Sequence, residues 1–135
     1  MIVTATYAAL LALLFIGLSV RTLSLRRSLR IPVGDGNNPQ MLRAMRVHAN
    51  FSEYVPLALL LIYFCELATR SVVLIHGLCL CLLVGRIIHA LGVSQAKENY
   101  RYRVAGMMLT FGALGVAALM LLAVKVGWMI TATTA

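Results

Sequence analysis

The feature that most restricts the fold of this chain is a polar stretch lying inside a long helical pattern. It runs Arg46-Val47-His48-Ala49-Asn50-Phe51-Ser52-Glu53-Tyr54-Val55-Pro56 and leads straight into the apolar segment Leu57 to Cys65. At 100° per residue, positions 46, 50, 53, 54 and 57 share one helical face. The uninterrupted apolar run after Glu53 ends at Glu66, after 12 residues. At about 1.5 Å per residue this run covers roughly 18 Å, well short of the ~30 Å hydrocarbon core of a bilayer. A helix crossing a membrane here carries part of its polar face to membrane depth, where such groups are costly unless they face protein, a water-filled cavity or a ligand. The sequence therefore predicts a polar site inside a membrane bundle.

Composition supports the membrane. Of 135 residues 61% are hydrophobic and only four are acidic, more apolar surface than a soluble domain of this size can bury. Four apolar segments are read: Ile2 to Val20, with its helix continuing through Arg30; Pro39 to Thr69; Ser71 to Leu91; and Val104 to Ile130. The stretch between Ile31 and Pro39 is dense in turn formers and makes the one long loop. Thr69-Arg70-Ser71 reads as a tight connection and Gly92 to Tyr102 as the other turn. Short connections make sequential segments antiparallel neighbours, so the expected fold is all-α, an up-down-up-down transmembrane four-helix bundle in one domain, residues 1–135. The first segment lacks a basic leader and a small-residue cleavage site, and is read as a retained helix.

The net charge of +8 does not point to nucleic acid, because the basic residues interrupt apolar spans and form no basic domain of their own. Ten of the twelve (Arg21, Arg26, Arg27, Arg30, Arg43, Arg46, Arg86, Lys97, Arg101 and Arg103) gather near the first and third connections, against Arg70 and Lys125 near the other side. The positive-inside rule then predicts those two connections in the cytoplasm and both termini outside. On that reading the start of the second helix, the end of the first and the turn between the third and fourth meet at the cytoplasmic side. Arg26, Arg27, Arg30, Arg46, Asn50, Glu53, Arg86, His89, Arg101 and Arg103 can then converge on a zone suited to a small anionic, zwitterionic ligand. Cys79 and Cys81 sit about 200° apart on a helix and cannot share a metal from one face, so no metal site is expected. Cys65, Cys79 and Cys81 are expected as buried free thiols.

The pattern Arg46-x-x-x-Asn50-x-x-Glu53-Tyr54-x-Pro56 resembles the signature of the MAPEG family, the membrane-associated proteins of eicosanoid and glutathione metabolism. Arg26-Arg27-x-x-Arg30, Gly85-Arg86-x-x-His89 and Tyr100-Arg101-Tyr102-Arg103 extend the resemblance in order along essentially the whole chain. It implies a homotrimer with glutathione held between adjacent subunits at the cytoplasmic side, and transfer or isomerisation chemistry on lipophilic substrates from the bilayer. Eicosanoid-making members carry a tyrosine where this chain has Val93, which argues against a leukotriene-type substrate. The Arg-x-x-His form is similar to prostaglandin-synthase-like and small bacterial members, which points to a bacterial inner membrane.

Roles follow from the ligand's two carboxylates, ammonium and thiol. Arg46 suits a carboxylate, which guanidinium binds in a planar fork; Glu53 suits the ammonium, and Asn50 the peptide backbone. The alternative for Arg46 and Glu53 is a purely structural pair. Arg103 is the candidate catalytic residue, because a neighbouring guanidinium favours the thiolate. Arg101, nearly opposite it, and Arg30 read as lipid anchors. Arg26 and Arg27 are candidates for further carboxylate contacts, and Arg86 and His89 for contact with glutathione. Tyr54 is expected at a subunit interface with its hydroxyl open to ligand. His48 reads as structural, His76 has no assigned role, and Gly106, Gly112 and Gly115 read as close-packing positions. The expected function is a glutathione-dependent membrane transferase or peroxidase; the alternative is a non-catalytic lipid- or glutathione-binding protein of the same fold.

Overall fold

The computed structural model describes residues 2–69, 71–95 and 99–133, with side chains through residue 125. Arg70 and Lys97, which entered the count of basic residues, lie outside the described residues. Four helices follow in order: α1 (Val3–Leu29), α2 (Pro39–Thr69), α3 (Val72–Ser94) and α4 (Tyr100–Thr133). Among the described residues there is no strand. Each helix is long and apolar enough to cross a bilayer. The protein is an integral, multi-pass membrane protein, and its outer surface carries the apolar side chains that lipid requires: Leu13 and Ile16 on α1, Val73 on α3, Met108 and Leu119 on α4.

The first loop is set by local chemistry. Arg30 takes a left-handed conformation (φ 54°) as α1 ends, with its N–H and that of Ile31 returning to the carbonyls of Arg27 and Arg26. Asn38 opens α2: its Oδ1 accepts from the N–H groups of Gln40 and Met41, and Pro39 fills the first helical position, where no N–H is needed. The second turn differs from expectation. Gly92, read as a turn residue, is helical and buried, and α3 continues through Ser94; α4 begins at Tyr100 rather than Val104. The reason is packing. A Cβ at Gly92 would lie 2.8 Å from the backbone nitrogen of Arg103, so glycine here admits the start of α4 instead of breaking α3. Asn99 caps α4 by accepting from the Tyr102 N–H at 3.3 Å.

Contacts between α1 and α2 pair residues whose numbers run in opposite senses. The backbone N–H groups of Val3 and Thr4 donate to Glu66 at 2.5 and 3.0 Å, Ser19 Oγ meets His48 Nε2 at 3.0 Å, and Arg26 meets Met45. Glu66 thus caps α1 from the last turns of α2. His48 also stacks on Phe15, with centroids 4.7 Å apart. Tyr7 with His76 at 3.1 Å, and Arg21 with Ser94, join α1 to α3. Buried Val55, Ala58, Ile62, Leu82, Ala113 and Ala117 fill the interior, and Cys65 Sγ donates to the Ala117 carbonyl at 3.2 Å. Cys65 and Cys79 are buried, but Cys81 is exposed, against expectation, because α3 turns that face outward.

Helices α3 and α4 touch through glycine. A Cβ on Gly106 would lie 2.6 Å from the Gly85 carbonyl oxygen and 2.7 Å from the His89 backbone nitrogen. Gly112 and Gly115 do not share this role, since a Cβ on either meets nothing within 4 Å. We therefore expect Gly106→Ala to destabilise the protein by about 1–3 kcal/mol, the usual cost of overpacking. Gly112→Ala, as a control, should not destabilise and should gain up to about 1 kcal/mol from helix propensity. Thermal unfolding in detergent checks both.

Candidate functional site

At the end of the bundle that carries the first loop, α2 lays a stripe along one face: Leu42, Arg43, Arg46, Ala49, Asn50 and Glu53. The spacing is that of successive helical turns, so the residues stack above one another. Opposite stand His89 and Val93 of α3 and Arg103 of α4. Together they enclose a cavity of about 490 Å³. The structure thus brings together Arg46, Asn50, Glu53, His89 and Arg103, five of the residues singled out from sequence.

The wall is cationic. Arg43, Arg46 and Arg103 face it against the single carboxylate of Glu53. Among the described residues no ion pair within 4.0 Å joins Arg46 to Glu53, and both side chains are exposed in the subunit. Arg43 was not picked as a ligand residue; its position three before Arg46, one turn away on the same side of α2, is the signal that finds it. His89 is 5% exposed and held against α4 where Gly106 has no side chain. The backbone N–H of Arg103 donates to the Asn99 carbonyl, which places its side chain in the first turn of α4 beside the cavity.

Other singled-out residues stand elsewhere. Arg86 is 2% exposed and lies behind the wall, with Nη1 donating to Asn50 Oδ1 at 2.7 Å and Nη2 reaching the Gly106 carbonyl at 3.4 Å. Tyr54 is half-buried with its ring edge-on to Phe111, centroids 5.3 Å apart, so its ring is engaged by α4 of the same chain. Arg26 holds the first loop: Nη1 donates to the carbonyls of Gly34 at 2.9 Å and Ile31 at 3.4 Å. Arg27, Arg30 and Arg101 are exposed outside the cavity wall.

Four membrane-length helices around a cationic cavity, with the Arg46, Asn50 and Glu53 stripe as its wall, define a membrane protein of the MAPEG family. The chain belongs to that family, whose sequence profile matches residues 4–123. It is similar to the inner membrane protein YecN of Escherichia coli K12, with 36% identity over 112 residues that cover 83% of this chain and 84% of that one. The protein of the same name from Escherichia coli O6:H1 matches with the same identity and coverage.

The bonds of Arg26 carry a test of its role. Arg26→Ala removes hydrogen bonds from a charged donor to the loop, worth roughly 1.5–3 kcal/mol each where well formed. We expect faster proteolytic cleavage between residues 31 and 38, with little change in ligand affinity at the cavity. Limited proteolysis and a binding titration on the same preparation read the two effects apart.

Proposed function

We propose that the protein is a glutathione-dependent transferase or peroxidase acting on lipophilic electrophiles at a bacterial inner membrane. The observation that carries this reading is the charge pattern of the cavity wall: two guanidiniums, one amide and one carboxylate on neighbouring turns of α2, with the guanidinium of Arg103 on α4 opposite. It complements a ligand with two carboxylates, one ammonium and a thiol. Arg46 takes a carboxylate in a bidentate fork, Arg43 stands ready for the same chemistry, and Glu53 accepts from the ammonium. Arg103 lies beside the sulfur and favours its anion, and His89 borders the same space. The thiol proton leaves to water on binding; the thiolate then attacks the electrophilic carbon, and a carbon–sulfur bond forms as the bond to the leaving group breaks and that group departs with the electron pair.

The same reading assigns an up-down-up-down subunit, supported by the order of contacts along α1 and α2, and a homotrimer. Support for the trimer comes from α2, where exposed Glu53 continues upward into Leu57, Leu60 and Phe64, 52%, 49% and 45% exposed. A neighbouring subunit covers this face, closes the cavity and brings the exposed Arg27 within reach of a ligand carboxylate. The basic residues put the cavity at the cytoplasmic side and the termini outside. The lipophilic substrate enters from the bilayer between subunits. The name of the relative, an inner membrane protein, supports the location.

Ultraviolet difference spectra of the purified protein titrated with glutathione test the reading, since a bound thiolate absorbs where the thiol does not. Saturable binding with a thiolate signal at neutral pH is expected; saturable binding without it favours the non-catalytic alternative, and absence of binding removes the glutathione reading. With Arg103→Leu the thiolate signal should disappear at neutral pH and return at higher pH, with glutathione still bound. Each pKa unit of that shift corresponds to about 1.4 kcal/mol. Turnover of a generic electrophile should fall in parallel, while Arg101→Leu should leave both signals in place.

Glu53→Gln keeps the shape of the side chain and removes its charge. A hydrogen bond to a charged group contributes roughly 1.5–3 kcal/mol, so glutathione affinity should fall about tenfold or more. Mass measurement in mild detergent should still find trimers. Loss of the trimer with unchanged affinity would assign Glu53 to assembly.

A further inference from the structure

Arg86 is 2% exposed and, among the described residues, the only buried arginine. Among the described residues no carboxylate forms an ion pair with it within 4.0 Å. Its Nη2 reaches the Gly106 carbonyl and Met107 Sδ only at 3.4 Å, and Nε has no hydrogen-bond partner. The one short bond runs from Nη1 to Asn50 Oδ1, at 2.7 Å. A buried cation balanced this poorly lowers stability, so packing alone does not explain it.

The short bond has a direction. Guanidinium is donor-only, whereas a carboxamide has an acceptor end and a donor end. Only the Asn50 oxygen can face Arg86; a flipped amide would set donor against donor. With Oδ1 turned back toward α3, the Nδ2 group points the other way, to the cavity whose wall Asn50 helps to form. Arg86 is not part of that wall.

We infer that Arg86 is a positioning residue: by holding Asn50 Oδ1 it turns the amide N–H groups of Asn50 to the cavity, so that this point selects an acceptor oxygen of the ligand, a carboxylate or a peptide carbonyl. Glu53, three residues on and one turn away, offers the opposite chemistry. The pair therefore reads a ligand that carries an acceptor oxygen and an ammonium close to one another, as the amino-acid end of a peptide does. The donor assignment rests on the Arg86 bond; the choice of glutathione as probe rests on the functional reading above.

The test is a thermal and binding cycle on the full chain in detergent, with glutathione as probe. Asn50→Asp gives Arg86 its missing counter-ion and exchanges the cavity-facing donor for an acceptor beside Glu53. Its melting temperature should rise by several degrees while the glutathione Kd rises about tenfold or more. Arg86→Met removes the donor at similar volume. It should not lower the melting temperature, should weaken glutathione binding several-fold, and should abolish the stabilisation by Asn50→Asp. Arg86→Gln, whose amide can still donate to Asn50, should restore much of the affinity. Equal stabilisation by Asn50→Asp with and without Arg86, or unchanged glutathione affinity in Asn50→Asp, overturns the inference. If the unmodified protein binds no glutathione the functional reading fails, and the melting cycle alone decides whether Arg86 holds Asn50.

Discussion

The backbones of α3 and α4 come into contact where Gly85 and Gly106 meet, and again where Gly92 admits the nitrogen of Arg103. A single methyl group at Gly106 would fall 2.6 Å from a carbonyl oxygen, inside any tolerable separation. In lipid, where apolar side chains gain little by leaving their surroundings, this close fit is a main source of helix association. It also sets the site. His89 lies against Gly106, Arg86 reaches the Gly106 carbonyl, and Arg103 begins its side chain from a backbone held beside Gly92. The distance between two helices and the placement of three polar side chains are therefore one quantity.

Charge in this protein is handled mostly without opposite charge. Arg26 rests on loop carbonyls, Arg21 on the Ser94 hydroxyl, Arg86 on an amide oxygen, and Glu66 on two backbone N–H groups. Twelve basic residues against four acidic ones leave no other arrangement for most of them. The surplus falls where Arg43, Arg46 and Arg103 line the cavity, so among the described residues of its wall an anion meets more guanidiniums than carboxylates. Along the helices the outer surface carries exposed apolar side chains such as Leu13, Val73 and Leu119, as lipid demands.

The four helices were legible because each is a long apolar run, and the start of α2 because a run of turn formers ends at Pro39. The Arg46, Asn50 and Glu53 stripe was legible for a related reason: residues on one helix hold their relative positions whatever the tertiary fold. What the sequence left hidden depends on how one helix is rotated against another. Arg86 and His89 are three apart on α3, yet one lies behind the wall and the other in it. Gly92 looked like a breaker because its role is steric and belongs to α4; Gly112 and Gly115 looked like packing positions because nothing in the sequence says which face of α4 is covered. The hold of Arg26 on the first loop was hidden because its partners are backbone carbonyls, which carry no side-chain signal.

The carboxylate of Glu66 has a consequence in time. The N–H groups of Val3 and Thr4, which open α1, are satisfied by a residue more than sixty positions later in the chain. Until α2 has been made, the start of α1 therefore lacks the acceptor it has in the folded chain. A single acidic side chain in the last turns of α2 thus ties down the first turn of the chain's first helix.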